Sequence, residues 1–193
     1  MSAMDEQVKL LALPKVLSVQ SSVVSGYVGN RSAMFPLQLL GFDVDCVNSV
    51  QFSNHTGYPI VKGTVLSGLE LSSLSRGLQE NNLLDYDYLL TGYIGSDTFL
   101  AEVLTLLDMM ETNHPNTRYI CDPVLGDNGK YYVPESLVEL FRDKVISRAY
   151  MVTPNQFEAS VLTGAFILLN ITILEEFTFH SLILYLYIYV YQS

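Results

Sequence analysis

Five short apolar runs, each stopped by a turn residue and each parted from the next by a stretch of helical length, constrain this chain most. The runs fall at residues 15–20, 42–48, 88–91, 118–122 and 149–152. Runs this short, apolar and bounded by Gly, Pro or Asn read as buried strands. The segments between them carry helix signals. Gly41 follows the stretch 31–40 as a glycine does after a helix end. Ser67 and Glu70 have capping-box spacing and predict a helix reaching about residue 81. Leu100, Val103, Leu104, Leu107 and Met110 form an apolar stripe at helical spacing over 96–112. Pro134 opens a further helix at a tolerated position, and 156–162 starts another. Long crossovers between buried strands predict an α/β fold, a doubly wound, mainly parallel sheet with helices on both faces. A long loop over 49–62 interrupts the pattern, and loops of that length inside a compact domain are usually functional.

Two strand ends repeat one design. Tyr119-Ile120-Cys121 meets a Pro/Gly break at Asp122, and Asp127 follows after Gly126. Tyr150-Met151-Val152 meets Thr153-Pro154-Asn155, with Glu158 one turn further on. Ligands of open α/β sheets sit in the crevice beyond the strands' carboxyl ends. Three carboxylates, a hydroxyl and an amide in that region suit a hard cation such as Mg²⁺, which keeps waters and borrows phosphate oxygens. The alternative stays open that Asp122 and Glu158 are helix caps or solvated loop acids.

Composition narrows the function classes. With 193 residues, 49% of them hydrophobic, the chain can bury one sizeable core. A net charge of −10 without a basic run excludes a phosphate-neutralising nucleic-acid binder. Cys46 and Cys121 lie in apolar runs and read as buried small hydrophobes of a reduced, cytoplasmic protein. His114 and His180 have no Cys or His at ligand spacing. The Gly-Tyr-Val-Gly-Asn segment at 26–30 lacks the Gly-Lys-Ser/Thr ending of a phosphate loop. Residues 1–14 read as a poorly ordered extension and a poor signal peptide.

Six segments in order carry a family resemblance: Val-Leu-Ser-Val-Gln-Ser-Ser (16–22), Gly-Tyr-Val-Gly-Asn-Arg (26–31), Val-Asn-Ser-Val-Gln-Phe-Ser-Asn-His-Thr-Gly-Tyr (47–58), Leu-Thr-Gly-Tyr (90–93), Cys-Asp-Pro-Val-Leu-Gly-Asp (121–127) and Thr-Pro-Asn-Gln-Phe-Glu (153–158). Through them the chain resembles the pyridoxal kinase family, the vitamin B6 kinases of the ribokinase-like superfamily. The resemblance implies ATP-dependent phosphorylation of the 5′-hydroxyl of pyridoxal, pyridoxine or pyridoxamine. It implies ATP and Mg²⁺, a monovalent cation (K⁺ or Na⁺) and a homodimer, with no nucleic-acid or membrane partner. On the substrate side it assigns Ser21, Thr56 and Tyr93, with the His55 loop walling the pocket. Ordinary loop capping is the plainer account of Ser21 and Thr56. On the nucleotide side it assigns Asp122, Asn155 and Tyr132, the last in a flap over the phosphates. Around the metal it assigns Asp122, Asp127, Thr153 and Glu158. The four residues between Asp127 and Tyr132 make a short flap, which puts lid closure in question. Lys130 reads as a solvated loop lysine.

The resemblance ends near Gly164, so an incomplete ribokinase-like domain is expected over 15–164. Residues 165–193 contain no Lys, Arg, Asp, Gly or Pro. Their last apolar run, about fifteen residues, is short of the roughly twenty that a spanning helix needs. The expectation is an aberrant apolar tail on a domain truncated at its C-terminal side. The family's Gly-Thr-Gly-Asp type of segment, which holds phosphate and supplies the base, has no counterpart here: no Asp follows Asp143. No catalytic residue is therefore assigned. The other reading is a catalytically incompetent chain that binds a B6 vitamer weakly or pairs with full-length subunits.

Overall fold

The computed structural model describes residues 13–164. All but the last two residues of the expected N-terminal extension, and the whole 165–193 tail, lie outside the described residues. Eight strands occur among the described residues: β1 (Lys15–Val23), β2 (Asp43–Phe52), β3 (Gly63–Val65), β4 (Tyr88–Thr91), β5 (Arg118–Cys121), β6 (Gly126–Asp127), β7 (Lys130–Tyr131) and β8 (Met151–Val152). The helices are α1 (Asn30–Leu39), α2 (Gly68–Glu80), α3 (Asp97–Asn113), α4 (Ser136–Leu140) and α5 (Gln156–Thr163). Six strands form one sheet in the order β3-β2-β1-β4-β5-β8. All its pairings are parallel except that of β3 with β2. The expected doubly wound α/β sheet is thus present.

Alternation along the strands sorts side chains onto two faces. Leu17, Val19, Leu89, Tyr119 and Cys121 point into one large core with Leu71 of α2, the stripe of α3, and residues from α4 and α5. On the opposite face α1 closes a small cluster of Val16, Ala33, Leu37 and Val44. The α3 stripe is the expected one with one exchange. Leu106 is buried beside Leu100, Val103, Leu107 and Met110, whereas Leu104 is only partly buried.

Several boundaries differ from expectation for local reasons. Both β1 and β2 run past their apolar stretches, because the paired backbones continue through Ser22–Gln51 and Val23–Phe52. The 49–62 loop is correspondingly shorter, and β3 folds back antiparallel onto β2. All three β3 residues are exposed, so no burial pattern marks the strand. The helix after Pro134 starts at Ser136 and continues as a π-type turn over Phe141–Val145. The reading of both cysteines as buried holds only for Cys121. Cys46 is exposed, with its Sγ 3.8 Å from Met34 Sδ. It lies on β2, whose residues from Asp43 to Asn48 bury Val44 alone.

Candidate active site

The strand order places a topological switch between β1 and β4. From β1 the chain crosses to β2 on one side, while β4, β5 and β8 follow on the other. The crevice in which such sheets take ligands lies beyond the carboxyl ends of β1 and β4. Ser21 and Tyr93 each lie two residues beyond the paired Val19 and Thr91. Ser21 occupies a register shift of β1 between Gln20 and Ser22. Gly92 leaves room for the Gln20 side chain: a Cβ there would stand 2.7 Å from Gln20 Oε1. Ser49 Oγ donates to the Tyr93 carbonyl at 2.9 Å, which ties the end of β2 to the same point. Tyr93 is half-buried, and burial raises its phenol above the ordinary range. The phenol stays neutral at pH 7 and can donate a hydrogen bond.

Thr56 belongs to a different segment, the connection between β2 and β3. It is exposed in a turn between Ser53 and Lys62. That loop is held by its own bonds: Ser53 N–H to Lys62 O at 2.7 Å, and Asn54 Nδ2 to Ile60 O at 3.1 Å. The His55 and Tyr58 rings lie 4.6 Å apart within it.

The second group lies along the same edge. Asp122 is buried just past β5, where its N–H donates to Thr91 O at 2.9 Å. Its own carbonyl accepts from Val124 N–H at 2.9 Å, which turns the chain out of the sheet. Thr153 N–H donates to Cys121 O at 3.0 Å, so Thr153 continues the β8 ladder beside Asp122. Burial beneath these residues drives the Cys121 thiol up to about 12, and the Asp122 and Glu158 charges add to that rise. Cys121 is therefore an inert thiol at neutral pH.

Asn155 and Glu158 form a capping box at the start of α5. Asn155 Oδ1 accepts from Glu158 N–H at 2.9 Å, and Glu158 Oε2 accepts from Asn155 N–H at 2.8 Å. The box also reaches outward. Glu158 Oε1 accepts from Leu125 N–H at 3.0 Å and Gly126 N–H at 3.5 Å, while Asn155 Nδ2 donates to Gly126 O at 2.8 Å. Glu158 is only 3% exposed. Burial pushes its carboxyl up to about 7, the charge of Asp127 adds to the rise, and the backbone hydrogen bonds pull the other way.

The segment carrying Asp127 and Tyr132 is a hairpin, not a loop. Strands β6 and β7 pair antiparallel around Asn128 and Gly129, with φ +49° and +76°. Two left-handed residues in a two-residue connection are the mark of a type I′ turn, and Asn-Gly is its strongest sequence signal. That dipeptide could have revealed the hairpin. Gly126 at its root is hemmed in: a Cβ would lie 2.2 Å from Lys130 O and 2.7 Å from Phe157 Cε1. Tyr131 packs edge-on to Phe157, with ring centroids 5.1 Å apart. Asp127 is exposed, and its carboxylate accepts from Asn128 N–H at 2.7 Å and Asn128 Nδ2 at 2.9 Å. Tyr132 is exposed at the hairpin's end, held by its N–H on Leu125 O at 2.8 Å. Partial burial, then the charges of Asp127 and Glu158, raise its phenol.

Asp122, Asp127 and Glu158 are not gathered into an all-protein cage. Among the described residues no group of three or more His, Cys, Asp or Glu could hold a metal ion. Glu158 directs both oxygens at backbone N–H groups, as the capping alternative anticipated. Asp122, Asp127, Thr153 and Glu158 offer only oxygen atoms. A hard cation fits a set of that kind when phosphate and water complete its shell.

The chain is similar in sequence and in fold to known proteins. The family model described as Phosphomethylpyrimidine kinase matches residues 84–177. A pyridoxal kinase of Arabidopsis thaliana is 60% identical over 158 residues, covering 80% of this chain and 51% of that protein. The pyridoxal kinase of Homo sapiens is 53% identical over 154 residues, covering 78% and 49%. Among solved structures, pyridoxal kinase from Leishmania donovani in complex with ADP and ginkgotoxin superposes with a TM-score of 0.76 at 42% identity. That match covers 79% of this chain and 54% of the other. The chain spans about half the length of the curated relatives it matches.

Proposed function

Since the chain belongs to the pyridoxal kinase family, we propose that its strand-end crevice is the acceptor and phosphate side of an ATP-dependent kinase acting on the 5′-hydroxyl of a B6 vitamer. One observation carries this reading. Four neighbouring parallel strands, β1, β4, β5 and β8, carry a row of polar residues at this edge: Ser21, two residues past the end of the β1–β4 pairing, Tyr93, two past β4, and Asp122 and Thr153, each one past β5 and β8. Neighbouring strands lie about 4.8 Å apart, so the row spans roughly 15 Å. It runs from neutral hydrogen-bonding groups at the β1/β4 switch to a carboxylate and a hydroxyl at β5/β8. That order suits a neutral ring at one end and a metal-bound phosphate chain at the other. Solved relatives hold ADP with pyridoxamine and ADP with pyridoxine.

In this reading Ser21 and Tyr93 hydrogen-bond the ring heteroatoms, and Thr56 joins them from the 53–62 loop. Asp122, Asp127 and Thr153 would hold Mg²⁺, whose contribution when bound is to neutralise charge on the phosphates. Glu158 and Asn155 keep the hairpin root, and with it Asp127 and Tyr132, over the phosphate end. A monovalent cation beside Asp122, a homodimer and a cytoplasmic location complete the proposal. No helix among the described residues is long and apolar enough to cross a membrane.

A second reading is favoured by one feature of the sequence. Residues 144–193 contain no Asp, and Gly164 is their only glycine. On that reading the 193-residue chain binds vitamer and nucleotide without turning over. One experiment tests both: titrate the purified chain with pyridoxal and with Mg·ADP, then follow pyridoxal 5′-phosphate formation with Mg·ATP by absorbance. Saturable binding of both ligands with background turnover is expected. Turnover in the ordinary kinase range, roughly 1–100 s⁻¹, would discard the second reading. Binding of neither ligand would discard the site itself.

A further inference from the structure

The start of α1 is poorly built as a helix start. It has no side-chain cap, and Gly29 stands at the N-cap with φ +49° and ψ −124°. Pro36 interrupts the helix interior. Asn30 is 3% exposed, yet its Oδ1 finds no donor, and neither does Ser32 Oγ find a partner, among the described residues. Buried unpaired acceptors are rare and costly, so a stable structure keeps one only where something else requires that side chain.

The requirement lies at the end of β1. Asn30 Nδ2 donates to Val47 O and Asn48 Oδ1, each at 2.9 Å, and reaches Gln20 O at 3.3 Å. One amide thus joins β1 and β2 at the last regular pair before the register shift opposite Ser21. Its orientation is fixed, because turning it over would set its oxygen against three acceptors. The residues on either side act on the same segment. Gly29 lies so close that a Cβ would stand 2.2 Å from Ser21 O and 2.5 Å from Ser21 Oγ. Arg31 Nη1 donates to Val23 O at 3.1 Å and also to Val24 O. Three consecutive residues therefore grip Gln20 to Val24 from before, at and after Ser21.

We infer that Asn30 is a positioning residue for the Ser21 hydroxyl, acting with Gly29 and Arg31 as a clamp on the β1 end. The inference that this hydroxyl meets the vitamer rests on the proposed function; the clamp itself does not. The amide gives up its own oxygen's hydrogen bond to hold in place the irregular pairing in which Ser49 and Val50 of β2 stand opposite the single residue Ser21 of β1. A helix selected for stability alone would carry Ser, Thr or Asp at its cap instead.

The test compares Asn30→Ala with Leu37→Ala in the 193-residue chain, since Leu37 anchors the same helix in its small core without touching residues 20–24. Two readouts are taken: amide hydrogen exchange, and affinities for pyridoxal and Mg·ADP. Asn30→Ala is expected to raise exchange at residues 21–25 at least tenfold beyond any change in β4 and β5. It should weaken pyridoxal about five- to tenfold, the worth of one neutral hydrogen bond, and leave Mg·ADP unchanged. Leu37→Ala should raise exchange across α1 without that local pattern. Equal exchange patterns in the two variants, or none in Asn30→Ala, would overturn the clamp. Local release with unchanged pyridoxal affinity would overturn its role toward the ligand. If the parent chain binds no pyridoxal, the vitamer reading fails while exchange still decides the clamp.

Discussion

Two helices of this molecule begin with the same device and use it differently. At α2, Ser67 and Glu70 form a capping box on the surface; at α5, Asn155 and Glu158 form one in the interior. Glu70 bonds back to Ser67, and those bonds lower its carboxyl below the ordinary range. Glu158 makes the same return bond, but its other oxygen takes two backbone N–H groups from the segment that leads into the β6–β7 hairpin. Burial there outweighs the bonds and raises its carboxyl to about 7. The local motif dictates where a helix starts. Burial decides whether it also fastens something else.

Removing the two carboxylates should break the comparison most widely. Glu158→Ala leaves the Leu125 and Asn155 N–H groups buried without partners, at about 1–3 kcal/mol each, so urea unfolding should show a loss of about 2–5 kcal/mol. Glu70→Ala exposes its donor to water and should move the midpoint far less. A Glu158→Ala midpoint within error of Glu70→Ala would show that the inner box carries no extra duty.

Titration sharpens the contrast, because the two glutamates have opposite signs. Glu158 has a folded value near 7 against an ordinary 4.5, so the folded state holds its proton more tightly. Its favourable contribution is complete below about pH 4.5 and is lost as pH rises through 7, on the order of 3 kcal/mol. In Glu158→Gln that fall in stability between pH 5 and 7.5 should flatten. An unchanged slope would place the titration elsewhere.

A smaller effect belongs to Asn155→Ala, which removes a cap and the bond to Gly126 O. About 1–2 kcal/mol is expected, with faster amide exchange in the hairpin. Asn155→Asp would keep the cap but lose the donor, so it should restore stability in part and leave hairpin exchange fast. The smallest effect is expected from Glu70→Gln. Glu70 contributes above its unfolded value and loses that contribution as pH falls, so the variant should differ from the parent only at neutral pH and low salt. A difference that persists in high salt would contradict a surface role.

The same contrast explains what was legible in the sequence. Ser67 with Glu70, the α3 stripe and the strand Tyr88–Thr91 are local patterns, and the structure has them nearly where the spacing put them. The doubly wound order followed from those patterns. The second capping box was equally local, yet in the sequence Glu158 read as well as a cation contact as it did as a cap. What separates the two uses is the Leu125–Gly126 backbone arriving from over thirty residues away. The Asn128-Gly129 hairpin has its turn signal in two residues, but its flanking strands are only two residues long and carry no alternation to support it. Asn30 gave no signal: a polar residue at a helix start reads as solvent-facing until three strand-end acceptors are seen around its amide. Cys46 failed in the opposite way, since an apolar run predicts burial but cannot tell which face of a strand a helix covers.

The strand order also bears on how the molecule is made. After β1 and β2, β4 is added at the free edge of β1, and β5 then β8 each at the outer edge beside the strand just formed. A chain emerging from the ribosome can therefore extend the sheet without opening a pair already formed, and N-terminal parts fold first during synthesis. The crevice is built in the same direction, with Ser21 and Tyr93 in place before Asp122 and Thr153 have been translated. We expect stalled nascent chains that carry residues 1–117 followed by a flexible linker long enough to fill the exit tunnel to protect 15–91 from proteolysis. Protection that appears only after residue 152 would mean that the edge waits for its last strand.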